Sequence, residues 1–194
     1  MEKVSYALGL SLGNNLLSSG ISNLSYSKIA KGIQDVLEQN EPEISYQEAQ
    51  EVINNFFEEL QAKASEGALQ EGKMFLENNG KRSEVITLAS GLQYEIIAEG
   101  TGNIPAASDK VKVHYHGSLI DGTVFDSSVN RGEPATFGVT QVISGWVEAL
   151  QLMTVGSKWK LFIPSELAYG AQGAGKSIAP HTTLIFEVEL LEIV

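Results

Sequence analysis

Near Gly80–Ser90 the spacing of apolar residues changes period. Before that point they recur every three to four residues, as one face of a helix requires; after it they alternate with polar residues, as in strands, with Gly and Pro between the runs. A chain that is helical in its first part and alternating in its second is of the α+β class. Its helices are segregated at the N-terminal end, and an antiparallel sheet follows.

The helical part divides further. Val4, Leu8, Leu12 and Leu16 mark a first helix over Val4–Leu17. Gly9 and Gly13 lie four apart within it. Each weakens a helix by about 1 kcal/mol against Ala, and the spacing points to close backbone approach by another helix. A second helix is expected over Tyr26–Gln39, with Ile29, Ile33, Val36 and Leu37 on one stripe. Pro42 then breaks the chain, and Ser45-Tyr46-Gln47-Glu48 is a capping box. Ala49, Val52, Ile53, Phe56, Phe57 and Leu60 follow at helical spacing, and no Pro interrupts Tyr46–Asn79. A helix of that extent is ~50 Å long. Between Gln61 and Gly72 it carries almost no apolar residue on any face, so this stretch is expected to bridge solvent. Asn78-Asn79-Gly80 is a stop signal. The expected organisation is a helical region over 1–44, a long linking helix over 45–80 and a β-rich domain over 81–194.

In the β-rich part, Gly91–Ile96 alternates and Gly100-Thr101-Gly102 closes a turn. Lys110–Leu119 reads as a strand with Val111, Val113 and Tyr115 on the core face and Lys112, His114 and His116 on the solvated one. Asp121-Gly122 signals a hairpin. Trp146–Met153 is the one short helical stretch. Trp159, Leu161 and Ile163 share a face within Lys158–Ile163, as do Leu184, Phe186, Val188 and Leu190 within Thr182–Ile193. An antiparallel sheet curled around one short helix fits this pattern.

Composition narrows the chemistry. Of 194 residues, 43% are hydrophobic and 19% charged, enough apolar surface for a packed core. The formal net charge of -11 argues against nucleic acid as a partner. With no cysteine, disulfides, thiol catalysis and thiolate metal sites are excluded. No segment approaches the ~20 apolar residues needed to span a bilayer. Met1–Leu10 has acidic and polar residues at once, unlike a signal peptide, so the expected location is the cytoplasm. The alternative is a mature periplasmic chain whose signal has been removed. His114 and His116 face one way and could share a metal, but no acidic or thiol ligand sits near them in sequence. Solvated sheet-face histidines are the preferred reading, and no metal or cofactor is expected.

Three segments carry a more specific signal. They are Val111–Ser128 (VKVHYHGSLIDGTVFDSS), Val142–Trp146 (VISGW) and Leu167–Gly170 (LAYG). In this order they resemble the FK506-binding-protein (FKBP) family of peptidyl-prolyl cis-trans isomerases, over about Ser90–Val194. Ser5–Asn14, Lys31-Gly32-Ile33 and Phe75–Asn79 resemble the N-terminal region of its Mip-like bacterial members.

The resemblance implies the site. Trp146 is the pocket floor, and Tyr115, Phe125 and Phe186 are its aromatic walls. Val142 and Ile143 form the rim, where the Ile143 N–H bonds a substrate carbonyl. Tyr169 supplies the hydroxyl that reaches the prolyl amide carbonyl. Asp126 faces the twisting bond, Arg131 keeps it ionised, and Ile178 closes the edge. Ala135 stands where many relatives carry an aromatic, so one wall is expected to be lower; Ala174–Ser177 forms a small, polar flap tip. The resemblance also implies a homodimer joined through the N-terminal helices. Implied partners are unfolded or proline-containing polypeptides and macrolides of the FK506 and rapamycin type. The implied function is acceleration of folding in proline-containing chains; a holdase for unfolded clients, with isomerisation secondary, is the alternative.

Overall fold

Three helices open the chain: α1 (Glu2–Ser18), α2 (Tyr26–Glu38) and α3 (Tyr46–Asn79). The computed structural model describes residues Met1–Val194, which group into two units, Met1–Ala62 and Lys63–Val194. The division falls within α3, so the long helix contributes to both units.

In the first unit the Ser45 hydroxyl accepts the Glu48 N–H at 3.1 Å, the cap expected at the start of α3. Helix α2 stops at Gln39, whose backbone is left-handed (φ 56°). Asp35 is the one buried residue of Met1–Ala62, held by Lys31 one turn back. The apolar stripes are uncovered: Leu8 is 67% and Phe57 44% exposed. The close approach expected at Gly9 and Gly13 is not made within this chain. A Cβ at either position would meet no atom within 4 Å.

The second unit is a seven-stranded antiparallel sheet. Its strands are β1 (Val85–Thr87), β2 (Gln93–Ala98), β3 (Lys110–Leu119), β4 (Val124–Ser127), β5 (Ala135–Gly138), β6 (Lys158–Ile163) and β7 (Leu184–Ile193). They lie in the order β1-β2-β6-β7-β3-β4, with β5 also paired to β3. The parity read from the sequence holds: Val111, Val113 and Tyr115 are buried, and the residues between them are half-buried. They join Leu161, Ile163, Leu184, Phe186, Val188 and Leu190 in one core. Each such side chain contributes roughly 1.5–3 kcal/mol by leaving water. The opposite face carries ion pairs such as Lys158–Glu187 (3.3 Å) and Lys112–Glu192 (3.0 Å).

Two helices interrupt the strands. One turn, α4 (Ser128–Arg131), was not expected; the Ser127 hydroxyl caps it by accepting the Asn130 N–H at 3.1 Å. The core-facing helix α5 spans Ser144–Leu150 rather than Trp146–Met153, and it buries Trp146, Ala149 and Leu150. Strand β7 begins two residues later than the alternation indicates. There the Thr182 hydroxyl donates to the Ala179 carbonyl (2.7 Å) and His181 is left-handed.

The stretch Gln61–Gly72 does not simply bridge solvent. Ser65, Ala68 and Leu69 are half-buried and Gly72 is buried. Ser65, Ala68 and Gly72 recur at helical spacing, and their small side chains make a low face that can lie close to other backbone. Hydrophobic periodicity is blind to a face built from such residues. One turn on, Phe75 packs against Phe162 with ring centroids 5.9 Å apart. The end of α3 is then tied to β2. Asn79 Nδ2 donates to Gln93 Oε1, and Gln93 Nε2 donates to the Leu76 carbonyl, both at 2.9 Å.

Candidate active site

Tyr115 stands at the centre of β3, and its inward parity puts its ring over the N-terminal turn of α5. There it meets Trp146 edge-to-face at 5.5 Å. Phe186 from β7 meets Trp146 at 5.2 Å, and Phe125 from β4 meets Phe186 at 5.4 Å, both near-perpendicular. Edge-to-face rings at these distances stabilise one another by roughly 0.5–1.5 kcal/mol beyond their burial. The result is a rigid aromatic box around a cleft of about 460 Å³.

Phe125 and Asp126 are consecutive and would point to opposite faces of a regular strand. Both line the cleft. The β3–β4 pairing slips between Gly117 and Ser118, so that Gly117 opposes Asp126 and Ser118 opposes Val124. This bulge leaves Phe125 without a partner and turns its ring inward. Gly117 is required beside it. A Cβ there would lie 2.7 Å from the Phe186 ring and 2.8 Å from the Phe125 ring.

Asp126 is held from two sides. The Tyr115 hydroxyl donates to its Oδ2 at 2.5 Å, and Arg131 donates to its Oδ1. Arg131 also donates to the Tyr115 oxygen at 2.8 Å, and its guanidinium lies 5.6 Å from the centroid of that ring. Burial pushes the Asp126 carboxyl up, but the Tyr115 hydroxyl and Arg131 outweigh it and hold the group below the usual carboxylate range. Burial, followed by the bond to Asp126, raises the Tyr115 phenol. The site therefore presents a fixed carboxylate and a fixed, protonated phenol at neutral pH.

Of the ten residues given a site role by the resemblance, the cleft collects all except Arg131, which stands behind Asp126. Val142 and Ile143 line one side, and Tyr169 and Ile178 line another. Two lining residues were missed, Phe137 and Gln141. Phe137 lies two residues beyond Ala135 on the same face of β5 and meets Trp146 edge-to-face at 6.0 Å. It supplies an aromatic wall near the position where Ala135 has none. The alternation Ala135, Phe137 could have shown it; nothing in the sequence points to Gln141. His114 and His116 lie outside the cleft, with their Nδ1 atoms 3.1 Å and 3.0 Å from the Ser128 and Ser127 hydroxyls.

Residues 102–191 match the family described as FKBP-type peptidyl-prolyl cis-trans isomerase. Residues 1–96 match the domain amino-terminal to such isomerases. An FKBP-type 22 kDa peptidyl-prolyl cis-trans isomerase of Escherichia coli (strain K12) is 50% identical over 194 residues, covering 98% of this chain and 94% of that one. This chain belongs to the FKBP-type peptidyl-prolyl cis-trans isomerases. Among related isomerases, the outer membrane protein MIP of Legionella longbeachae is 43% identical, covering 99% of this chain and 85% of that protein. The crystal structure of FkpA from Escherichia coli matches with a TM-score of 0.80 at 38% identity, covering 98% of this chain and 95% of that chain. The isomerase thus shares with FkpA both the helical N-terminal part and the sheet domain.

Such an isomerase makes and breaks no bond. It must lower an amide rotation barrier of ~18–20 kcal/mol. The planar amide is strongly dipolar, and the twisted one, having lost its resonance, is less so. A dry, aromatic-lined cleft therefore favours the twisted form relative to water, and contacts made only in that form supply the remainder.

Proposed function

We propose that the 460 Å³ cleft of this isomerase is where the proline of an Xaa-Pro segment binds and twists. In this reading the proline ring rests on Trp146 between Tyr115, Phe125 and Phe186. The Ile143 N–H and the Tyr169 hydroxyl hold carbonyls on either side of the twisting bond. Asp126, kept ionised by Arg131, faces that bond. The observation that carries the reading is convergence: residues from β3, β4, α5, β7 and the loop before β7 meet in one aromatic box with one fixed carboxylate. The floor itself is fixed: Trp146 is only 4% exposed, and three aromatic rings meet it edge-to-face. Macrolides of the FK506 and rapamycin type occupy the same cleft. The deciding experiment is the Asp126→Leu/Tyr169→Phe double variant, assayed on Xaa-Pro peptides. A large loss of turnover in a folded protein supports the site; full activity overturns it.

The first unit acts as a dimer-forming region in the same proposal. The uncovered Val4, Leu8, Leu12, Ile33, Phe56 and Phe57 need a partner, since each stabilises by roughly 1.5–3 kcal/mol only when buried. A second copy buries them and brings two clefts to one long client, raising the effective concentration of catalyst. The same exposed stripes suit a holdase, which is the second reading. Size-exclusion chromatography with light scattering decides the first point, and a monomer at micromolar concentration overturns it. Aggregation suppression by the Asp126→Leu/Tyr169→Phe variant would show holding without isomerisation.

A further inference from the structure

Between β6 and β7 the chain makes a strap, Tyr169–His181, that carries two cleft residues, Tyr169 and Ile178. Two devices close it. Ala174 and Ile178 pair through both backbone hydrogen bonds, at 2.8 Å and 3.1 Å, and the His181 N–H donates to the Gly170 carbonyl at 2.8 Å. His181 has φ +57°, the one left-handed residue other than glycine in Lys63–Val194. The first strap residue, Tyr169, is 40% exposed, so packing fixes its ring only in part.

The left-handed angle at His181 has a cause outside itself. On one side its N–H is bound to Gly170, next in sequence to Tyr169. On the other, the chain passes through the buried Thr183 into β7, whose first residue, Leu184, is also buried. Rotation to an ordinary negative φ would swing either the N–H away from Gly170 or the following residues out of the sheet. Backbone angles of this kind persist only where the surroundings impose them.

We propose that His181 is a positioning residue for Tyr169, acting through its left-handed backbone rather than its imidazole. Its N–H fastens the Gly170 carbonyl and so sets where the neighbouring Tyr169 hydroxyl stands. The inference rests on the assignment of Tyr169 to the substrate carbonyl made above.

The test uses the full chain with four changes, His181→Asn, His181→Gly, His181→Ala and His181→Val, in wild-type and Tyr169→Phe backgrounds. Turnover and KM on Xaa-Pro peptides are read together with thermal melting. Asn and Gly accept the left-handed region readily, whereas Ala does so less well and the β-branched Val worst. The expected result is that Asn and Gly stay within about twofold of wild type, while Ala and Val lose roughly five- to tenfold in kcat with KM little changed. In the Tyr169→Phe background the Ala penalty should shrink below about twofold, because the group being positioned is gone. The Ala variant keeps the test open should Val not fold. If Asn is as slow as Ala, the imidazole is what matters and the proposal fails. It fails equally if the Ala penalty is undiminished beside Tyr169→Phe. Full activity of Tyr169→Phe alone would instead overturn the underlying role of Tyr169.

Discussion

The hydroxyl of Thr183 fills the space in which a side chain at position 72 would begin. A Cβ on Gly72 would lie 2.4 Å from Thr183 Oγ1 and 3.2 Å from Thr183 Cβ. Overpacking of this kind costs about 1–3 kcal/mol, while replacing a helical Gly by Ala returns about 1 kcal/mol. Gly72→Ala should therefore lower the melting temperature, by roughly 2–4 °C for each net kcal/mol in a chain of 194 residues. Adding Thr183→Ala should restore much of the loss. A rise in melting temperature for Gly72→Ala alone would mean that α3 does not sit on this loop.

The same docking sets where the catalytic unit can be cut. A fragment starting at Ser83 lacks Phe75 beside Phe162 and leaves the buried Gln93 without Asn79 and the Leu76 carbonyl. Truncation lets water reach that amide, so each lost hydrogen bond costs only about 0.5–1.5 kcal/mol, and the lost burial of Phe75 adds to it. A fragment starting at Lys63 should unfold at clearly higher urea than one starting at Ser83, with both active on short peptides. Equal midpoints would show that the last turns of α3 add nothing to the sheet domain.

Asp126 gives the pH dependence a definite sign. Its folded carboxyl is held below the unfolded value, so its contribution to stability is complete above about pH 4 and is lost as pH falls through the lower, folded value. Tyr115 is shifted upward and stays protonated through neutrality. Turnover should therefore be flat from about pH 6 to 9, without the bell of an acid–base pair. In Arg131→Gln the burial that raises Asp126 is opposed only by the Tyr115 hydroxyl and the Ser127 backbone N–H. The NMR titration of Asp126 should then move to higher pH. An unmoved titration would remove Arg131 from this role.

Gly117→Ala should separate the two rings that a Cβ would strike, Phe125 and Phe186, and so open the aromatic box. The expected cost is about 1–3 kcal/mol in stability. A parallel loss of about tenfold in kcat/KM and weaker macrolide binding should accompany it. Unchanged activity would mean that the walls need not be fixed.

How much of this was legible beforehand depended on how local each cause is. The parity of β3 placed Tyr115 inward because alternation is a property of the strand itself. The inward turn of both Phe125 and Asp126 was legible only through resemblance, since the bulge opposite Gly117 is decided by pairing with another strand. Gly72 fell in a stretch expected to bridge solvent because the residue it packs on, Thr183, is distant in the chain. Phe137 carried a usable signal in its alternation with Ala135, whereas Gln141 carried none. The left-handed His181 is imposed by two anchors, Gly170 and β7, that no local pattern reveals.

All eleven residues lining the cleft fall between Tyr115 and Phe186, inside the second unit. Selection on the first sixty or so residues can thus proceed without touching the chemistry. If the opening helices gather clients as proposed, a lineage can re-address the same catalyst by altering those helices alone. On the proposed site, by contrast, a substitution that resists a macrolide has to arise among side chains that also carry out the turnover.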